Sequence, residues 1–267
     1  VMPDGNEYLF GEAGSKDAEI VWRINSPKVS LRLLKNGEFE LGKTYMEEGW
    51  DLLKGSLTDF ISLLYINFGE QPPSLVKKLV GRTLRQWNNL NKSMRNVSTH
   101  YDLDETLFRS FLDTDMHYSC AYFKSTGDEL ELAQQNKCQH IMSKLCLQPD
   151  QTLLDIGSGW GSLSLYMAKH GGVTTHGVTL SKEQLRVARA RAGERGLADR
   201  VKFDLQDYRS LTGQYDRIVS VGMFEHVGRP YFGAFFSKLN NLLKDDGVVL
   251  LHTIGRSGRP GITNPWI

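Results

Sequence analysis

Apolar runs alternate with amphipathic stretches along the chain from Cys138 onward. Five short aliphatic runs have the length of strands, and the stretches between them repeat apolar positions at helical spacing. The predicted strands are Thr152–Ile156, Val173–Val178, Val201–Leu205, Arg217–Val221 and Val248–Thr253, and the clearest helices are Lys182–Arg195 and Tyr231–Leu243. Strands and helices that alternate across short connections predict an α/β fold, a doubly wound parallel sheet of Rossmann-like topology.

The pattern before Cys138 is different. Residues 8–10 and 18–24 have the composition of strands, and residues 30–34 and 57–68 that of helices, so we expect a small N-terminal α+β domain over residues 1–70. We interpret residues 71–101 as a linker helix and residues 102–267 as the domain of the parallel sheet.

All charged residues of the predicted linker are basic. No acidic residue occurs from Gln71 to Tyr101, and apolar residues recur there at i, i+3 and i+4. A basic amphipathic helix of this kind can lie in a membrane interface, where each cation near anionic lipid adds about 1 kcal/mol. The alternative is a solvated helix packed on its own domain, and the charge pattern favours neither reading. The basic residues are Lys77, Lys78, Arg82, Arg85, Lys92 and Arg95.

Composition narrows the class of protein. The net charge of the 267 residues is +1, which gives no case for nucleic acid as a partner. The three cysteines are odd in number and unpatterned, which indicates a reducing compartment. The sequence contains no apolar run of membrane-spanning length and no cluster typical of a metal site.

The most informative motif follows the first strand of the parallel sheet. Asp155 is followed by Gly157, Gly159 and Gly161, and a helical pattern begins at Ser162. The G-x-G-x-G spacing differs from the G-x-G-x-x-G of dinucleotide folds and suits a ligand without pyrophosphate. S-adenosylmethionine is the leading candidate, and a generic strand–helix turn is the alternative.

Ligands of such sheets bind where the strands end, so the residues at those ends are candidates. Asp155 could hold an ammonium group, directly or through water. Thr179, Leu180 and Gln184 follow the second strand, which has no acid for ribose hydroxyls and must use neutral hydrogen bonds, while Ser181 reads as a helix cap. Gln206 and Asp207 follow the third strand and could meet an adenine amino group, although a turn or cap role for Asp207 is the alternative.

The last two strands end in groups that can carry protons. Glu225 and His226 follow the fourth strand, and His252 closes the fifth. Upstream, a polar and aromatic cluster runs from His117 to Tyr122 and contains Tyr118, Ser119 and Cys120. By themselves, a lone histidine and a lone cysteine are more often structural than catalytic.

Taken together, five motifs in one order resemble the cyclopropane-fatty-acyl-phospholipid synthases and, more distantly, the mycolic-acid cyclopropane synthases. These motifs are residues 118–122, 154–161, 177–181, 224–228 and 252–255, and the likeness extends into the N-terminal unit. The resemblance implies a methyltransferase sheet, with Tyr118 and Ser119 as further cofactor contacts. Such sheets end in an additional antiparallel pair, so we expect the chain to be incomplete beyond Ile267.

The resemblance also implies a reaction. The methyl group of S-adenosylmethionine passes to a cis double bond of a phospholipid acyl chain, and a carbocation then loses a proton as a cyclopropane ring closes. Ring faces can stabilise such a cation without trapping it; the candidates are Tyr118, Tyr122, Trp160 and Phe224. The base would be a bicarbonate ion held by the backbone of Cys120 and Ile254, by the side chains of Glu225 and His252, and by a tyrosine beyond Ile267.

Two alternatives stay open. Small-molecule N-methyltransferases share the glycine loop, and a chain that stops at Ile267 could be a lipid- or cofactor-binding fragment without turnover. The preferred reading predicts a cytoplasmic enzyme at the inner membrane face, with unsaturated phospholipid and an anionic membrane surface as partners, and a homodimer as a further possibility.

Overall fold

The computed structural model describes residues 1–10, 19–68 and 105–255. The described chain divides into two compact units, one formed by residues 1–10 and 19–68 and the other by residues 105–255. The predicted linker over residues 71–101 lies outside the described residues, as do the predicted domain boundaries.

The first unit is a two-stranded antiparallel sheet with two helices. Its elements are β1 (Val21–Ile24), α1 (Pro27–Met46), β2 (Trp50–Lys54) and α2 (Leu57–Phe68). Trp50 is buried against Trp22 and Phe60, with ring centroids 5.8 and 5.3 Å away, and these rings form the centre of the core. Ser26 caps α1 by accepting a hydrogen bond from the backbone of Val29 at 3.3 Å.

The N-terminal predictions are confirmed only in part. The helix over residues 57–68 is present with those bounds, whereas the helix predicted over residues 30–34 is one segment of the longer α1. The strand predicted at residues 8–10 is wrong: that stretch has no regular structure, and Phe10 is 89% exposed. Three successive apolar residues do not make a strand unless another strand offers a pairing edge, and β2 pairs with β1 instead.

The second unit contains the predicted parallel sheet. Its strands are β3 (Thr152–Ile156), β4 (Thr174–Thr179), β5 (Val201–Leu205), β6 (Tyr215–Val221) and β7 (Leu243–His252), in the spatial order β5-β4-β3-β6-β7. All neighbouring pairs are parallel, which confirms the doubly wound topology. Strands β6 and β7 begin earlier than the sequence pattern predicted.

Helices cover both faces of this sheet. They are α3 (Glu105–Arg109), α4 (Leu130–Lys144), α5 (Ser162–Gly171), α6 (Lys182–Glu194) and α7 (Phe232–Leu242). Leu153 packs with residues of α4 and α5, whereas Leu154 and Ile156 pack with residues of α7. Because successive strand residues point to opposite faces, Asp155 shares the face of α4 and α5. Among the described residues, none of the helices is long and apolar enough to cross a membrane.

The strand order reverses between β3 and β6. Chain connections leave this point in opposite directions, so a crevice opens beyond the carboxyl ends of β3 and β6. The candidate residues of the sequence analysis from β3 onward lie on segments that reach or follow a strand end of this sheet, whereas Tyr118, Ser119, Cys120 and Tyr122 precede α4.

Candidate functional site

The loop between β3 and α5 combines a tight turn with an open approach. Gly157, Gly159 and Gly161 have φ values of +85°, +53° and +82°, a region that favours glycine. A Cβ atom on Gly161 would lie 2.7 Å from Phe203, so this glycine permits packing of the loop on β5. A Cβ on Gly159 would have only the Nε2 atom of Gln184 near it, at 4.0 Å. Gly159 is therefore the position where a ligand can approach the backbone.

Two buried polar atoms belong to the same loop. The hydroxyl of Ser158 and the indole Nε1 of Trp160 have no hydrogen-bond partner among the described residues. The backbone N–H groups of Gly157 and Ser158 both donate to the carbonyl of Val178 at 3.0 Å, which ties the loop to β4. Unpaired buried polar atoms are rare, so the Ser158 hydroxyl beside Gly159 fits a polar ligand.

Asp155 is buried beneath this loop. Its carboxylate is 2% exposed and accepts a hydrogen bond of 2.7 Å from the hydroxyl of Ser164 on α5. Burial raises the pKa of this carboxyl from 3.8 to about 6, and the bond from Ser164 only partly opposes the shift. An ammonium group nearby would favour the ionised form of Asp155. Its role as an ammonium acceptor stays a prediction.

The residues after β4 form a connected set. Ser181 caps α6 by accepting from the backbone of Gln184 at 3.2 Å, as expected. The backbone of Ser181 donates to the hydroxyl of Thr179, and that hydroxyl donates in turn to the Oε1 atom of Gln184 at 2.9 Å. Thr179 is therefore occupied in orienting Gln184, whose Nε2 atom is left as the donor toward Gly159. Leu180 is half-buried between them.

After β5, Asp207 has the capping role that the sequence analysis gave as the alternative to contact with adenine. Asp207 caps a short 3-10 helix, and its carboxylate accepts hydrogen bonds of 2.8 and 2.7 Å from the guanidinium of Arg209. The side chain of Gln206 donates to Ser210 at 3.1 Å. Contact of either residue with an adenine amino group stays a prediction, and the capping role explains Asp207 without a ligand.

The ends of β6 and β7 bring together two of the predicted anion-site residues. The backbone N–H of Ile254 donates to Oε1 of Glu225 at 2.9 Å, across a long separation in sequence. His252 closes β7 opposite Val221, and its Nδ1 atom is buried without a partner among the described residues. Glu225 and Ile254 are both exposed. The Glu225 carboxylate, the Ile254 backbone N–H bonded to it and an unpaired nitrogen of His252 thus lie where β6 and β7 end.

The segment before α4 reaches the same crevice. A Cβ on Gly222, which follows β6, would lie 4.0 Å from the Cβ of Ser119. The ring of Tyr118 is half-exposed and packs edge-on to Phe108 with centroids 5.2 Å apart. Cys120, the next residue after Ser119, is exposed. The structure therefore places Ser119 at the strand ends, with Tyr118 and Cys120 on either side of it.

The four aromatic candidates have different surroundings. Trp160 is 1% exposed and packs on Phe108, and Phe224 stacks on Phe232 of α7 with centroids 4.4 Å apart. Both rings are thus used in packing. Tyr118 and Tyr122 keep exposed faces, and Tyr122 stacks on His140. The two tyrosines therefore keep ring surface that a ligand can reach, and their contact with a substrate cation stays a prediction.

One arginine that the sequence analysis missed joins the glycine loop to the segment before α4. Arg191 of α6 is buried, and its guanidinium donates to the carbonyl of Trp160 at 2.7 Å and to the carbonyl of Asp115 at 2.8 Å. It also donates to the hydroxyl of Ser162 at 3.1 Å. Burial lowers the pKa of Arg191 to about 10, so it stays charged at neutral pH. Arg191 thus fixes both segments relative to one another.

A second missed group lies on α4. Gln134 and Lys137 are buried and donate to the carbonyl and hydroxyl oxygens of Ser119, at 3.1 and 2.9 Å. The sequence carried a signal for Lys137, because it stands four residues from both Ala133 and Ile141 on the buried side of α4. A lysine at a core position of a helical pattern needs an explanation.

Comparison with known proteins gives matches over most of the chain. Residues 88–264 match the family described as mycolic acid cyclopropane synthetase. The cyclopropane-fatty-acyl-phospholipid synthase of Escherichia coli K12 is 40% identical over 279 aligned positions, which cover 100% of this chain and 71% of that protein.

Solved structures of the same family have a similar fold. The cyclopropane synthase MmaA2 of Mycobacterium tuberculosis is 39% identical with a TM-score of 0.60, covering 62% of this chain and 58% of the other. The mycolic acid cyclopropane synthase CmaA1, solved with SAH and CTAB, is 40% identical with a TM-score of 0.57, covering 59% and 55%. The chain therefore belongs to the mycolic acid cyclopropane synthetase family of S-adenosylmethionine-dependent methyltransferases.

Proposed function

We propose that this chain transfers the methyl carbon of S-adenosylmethionine to the cis double bond of an unsaturated phospholipid acyl chain and forms a cyclopropane ring. Transfer of the methyl group to one alkene carbon leaves a cation on the other. Loss of one proton from the new methyl group closes the ring. The acyl chain gains one CH₂, and S-adenosylhomocysteine and a proton are released.

The cofactor end of the proposal is supported by the loop after β3. Gly159 leaves the backbone open, Ser158 presents an unpaired hydroxyl, and Gln184 directs an amide N–H toward the same place. These donors fit the ribose and amino-acid parts of S-adenosylmethionine. Asp155 beneath them supplies the negative charge that an ammonium group requires.

The observation that carries the proposal is the contact between Glu225 and the backbone N–H of Ile254 at 2.9 Å. Sulfonium-dependent methylation of an ordinary nucleophile needs no group to remove a proton from the transferred methyl, whereas ring closure does. Bicarbonate supplies that proton acceptor when bound. The anion would replace the contact between these two groups: Ile254, Cys120 and His252 would then hold it as donors, and Glu225 would accept its hydroxyl proton and so fix its orientation.

The choice of a lipid acyl chain as substrate is supported by the family and by two exposed aromatic rings. Tyr118 and Tyr122 are the rings that a cation in the acyl chain could meet. We also propose that the protein acts at an anionic, cytoplasmic membrane face, where the basic segment of residues 71–101 would meet headgroups. Association as a homodimer belongs to the same proposal.

The test is the product. The chain, with any sequence that its gene encodes beyond Ile267, is incubated with S-adenosylmethionine, bicarbonate and vesicles of unsaturated phospholipid. We expect acyl chains that gain the mass of one CH₂ and lose their double bond. A methyl-branched product, or methylation of added small amines instead of lipid, would refute the proposal. Cofactor binding with unmodified lipid would support the alternative of a binding fragment.

A further inference from the structure

Lys137 is a buried cation with too few partners. Its side chain lies on the inner side of α4 beside Cys138, which packs on Leu153, Leu163 and Val219 over the face of the sheet that carries Asp155. The ammonium donates to the hydroxyl of Ser119 at 2.9 Å, and it forms no ion pair within the described ranges.

The charges around Lys137 do not neutralise it at contact. The buried carboxylate of Asp113 is bonded to His117 at 2.9 Å, and His117 in turn contacts the thiol of Cys138 at 3.2 Å. Asp113 acts on Lys137 only through the longer-range field, and burial lowers the pKa of the ammonium. A buried ammonium with one neutral acceptor is costly unless an anion compensates it.

The hydrogen bond from Lys137 also determines where the hydroxyl proton of Ser119 can point. Because the Ser119 oxygen accepts from Lys137, its own hydroxyl proton is directed elsewhere. Gln134 holds the carbonyl of Ser119 at 3.1 Å and fixes the backbone. Since Ser119 stands next to Gly222 at the end of β6, its hydroxyl is available as a donor in the crevice between β3 and β6.

S-adenosylmethionine carries both charges at its amino-acid end, and Asp155 can account only for the ammonium. Ser119 is already an expected cofactor contact. We propose that Lys137 is a positioning residue that holds the Ser119 hydroxyl as part of a subsite for the carboxylate of this amino-acid end. The inference rests on the proposed function, because it takes S-adenosylmethionine as the ligand. It adds a positioning residue that discriminates an amino acid from an amine.

The test compares two ligands by calorimetry: S-adenosylhomocysteine, and its decarboxylated analogue, which keeps the ammonium group. Because the contact involves a charged group, wild type should prefer S-adenosylhomocysteine by about 10- to 150-fold. Lys137→Met should reduce this preference to a few-fold by weakening only the carboxylate-bearing ligand. Lys137→Arg should restore part of it. Ser119→Ala, which leaves the buried side of α4 intact, should also reduce it.

Gln134→Met is the matched control. It removes a neutral contact to Ser119 from the same helix face, so it should weaken both ligands by the same factor and leave the preference unchanged. Equal weakening of both ligands by Lys137→Met would overturn the subsite and make Lys137 structural. Wild type that binds both ligands without preference would overturn the subsite alone. Wild type that binds neither would overturn the proposed function together with it.

Discussion

Asp155 offers the sharpest test, because its proposed role has a cost that can be measured without substrate. Burial raises the pKa of its carboxyl from 3.8 to about 6. Ionisation of Asp155 therefore lowers the free energy of unfolding of the ligand-free protein. Two pKa units correspond to about 3 kcal/mol. We therefore expect the ionised form of Asp155 to cost about this much at pH 8.

The sign follows from proton binding. Between pH 3.8 and about 6 the folded protein binds more protons at Asp155 than the unfolded chain does, so stability falls as pH rises through this window. The penalty is about 1.5 kcal/mol at pH 5 and about 3 kcal/mol at pH 8. Asp155→Asn cannot ionise, and its amide oxygen can still accept from Ser164. Relative to wild type, it should gain about 1.5 kcal/mol between these two pH values.

The assay is urea unfolding of both proteins at pH 5 and pH 8. A constant effect of the amide, favourable or not, cancels when the two pH values are compared, as do all other titrating groups. Asp199→Asn, at an exposed position, is the matched control for replacing a carboxylate by an amide. The free energy of unfolding of Asp155→Asn minus that of wild type should rise from pH 5 to pH 8, and a value that stays constant or falls would refute the reasoning.

The same substitution tests the ammonium contact. A ligand ammonium would stabilise the ionised carboxylate, so the affinity of wild type for S-adenosylhomocysteine should rise as pH increases through about 6. Asp155→Asn should bind more weakly and lack this rise. Identical pH profiles for the two proteins would remove Asp155 from the site.

Three further predictions follow from single residues. Gly159→Val should abolish binding of S-adenosylhomocysteine in calorimetry, because it places a branched side chain at φ +53° where the ligand approaches; unchanged affinity would show that the loop is not the site. Glu225→Gln should lower turnover by roughly 10²-fold or more while cofactor binding survives, since a proton acceptor is lost, and turnover close to wild type would contradict this. Arg191→Met should lower the free energy of unfolding by about 2 to 4 kcal/mol, because buried carbonyls lose their donors; a urea midpoint like that of wild type would show that this guanidinium is dispensable.

The strands and helices of the sheet were readable from sequence because their signals are local. A five-residue aliphatic run at Thr152–Ile156 followed by glycines at every second position leaves few alternatives to a strand and a turn, and the structure has the strand with those bounds. The cap at Ser181 was readable for the same reason, since a helix start depends on its immediate neighbours. The stretch at residues 8–10 was misread because a strand also needs a partner, which local composition does not supply.

Which residues meet across the site was decided by tertiary structure. Glu225 and Ile254, Lys137 and Ser119, and Arg191 and Trp160 are far apart in the chain and share no local pattern. They come together because parallel strands β3, β6 and β7 end at one edge and because α4 and α6 pack beside it. The same packing removes Asp155 and Lys137 from water. The pKa values of these two groups therefore depend on the tertiary structure, because the cost of a buried charge is set by the groups that surround it in space and not by its neighbours in sequence.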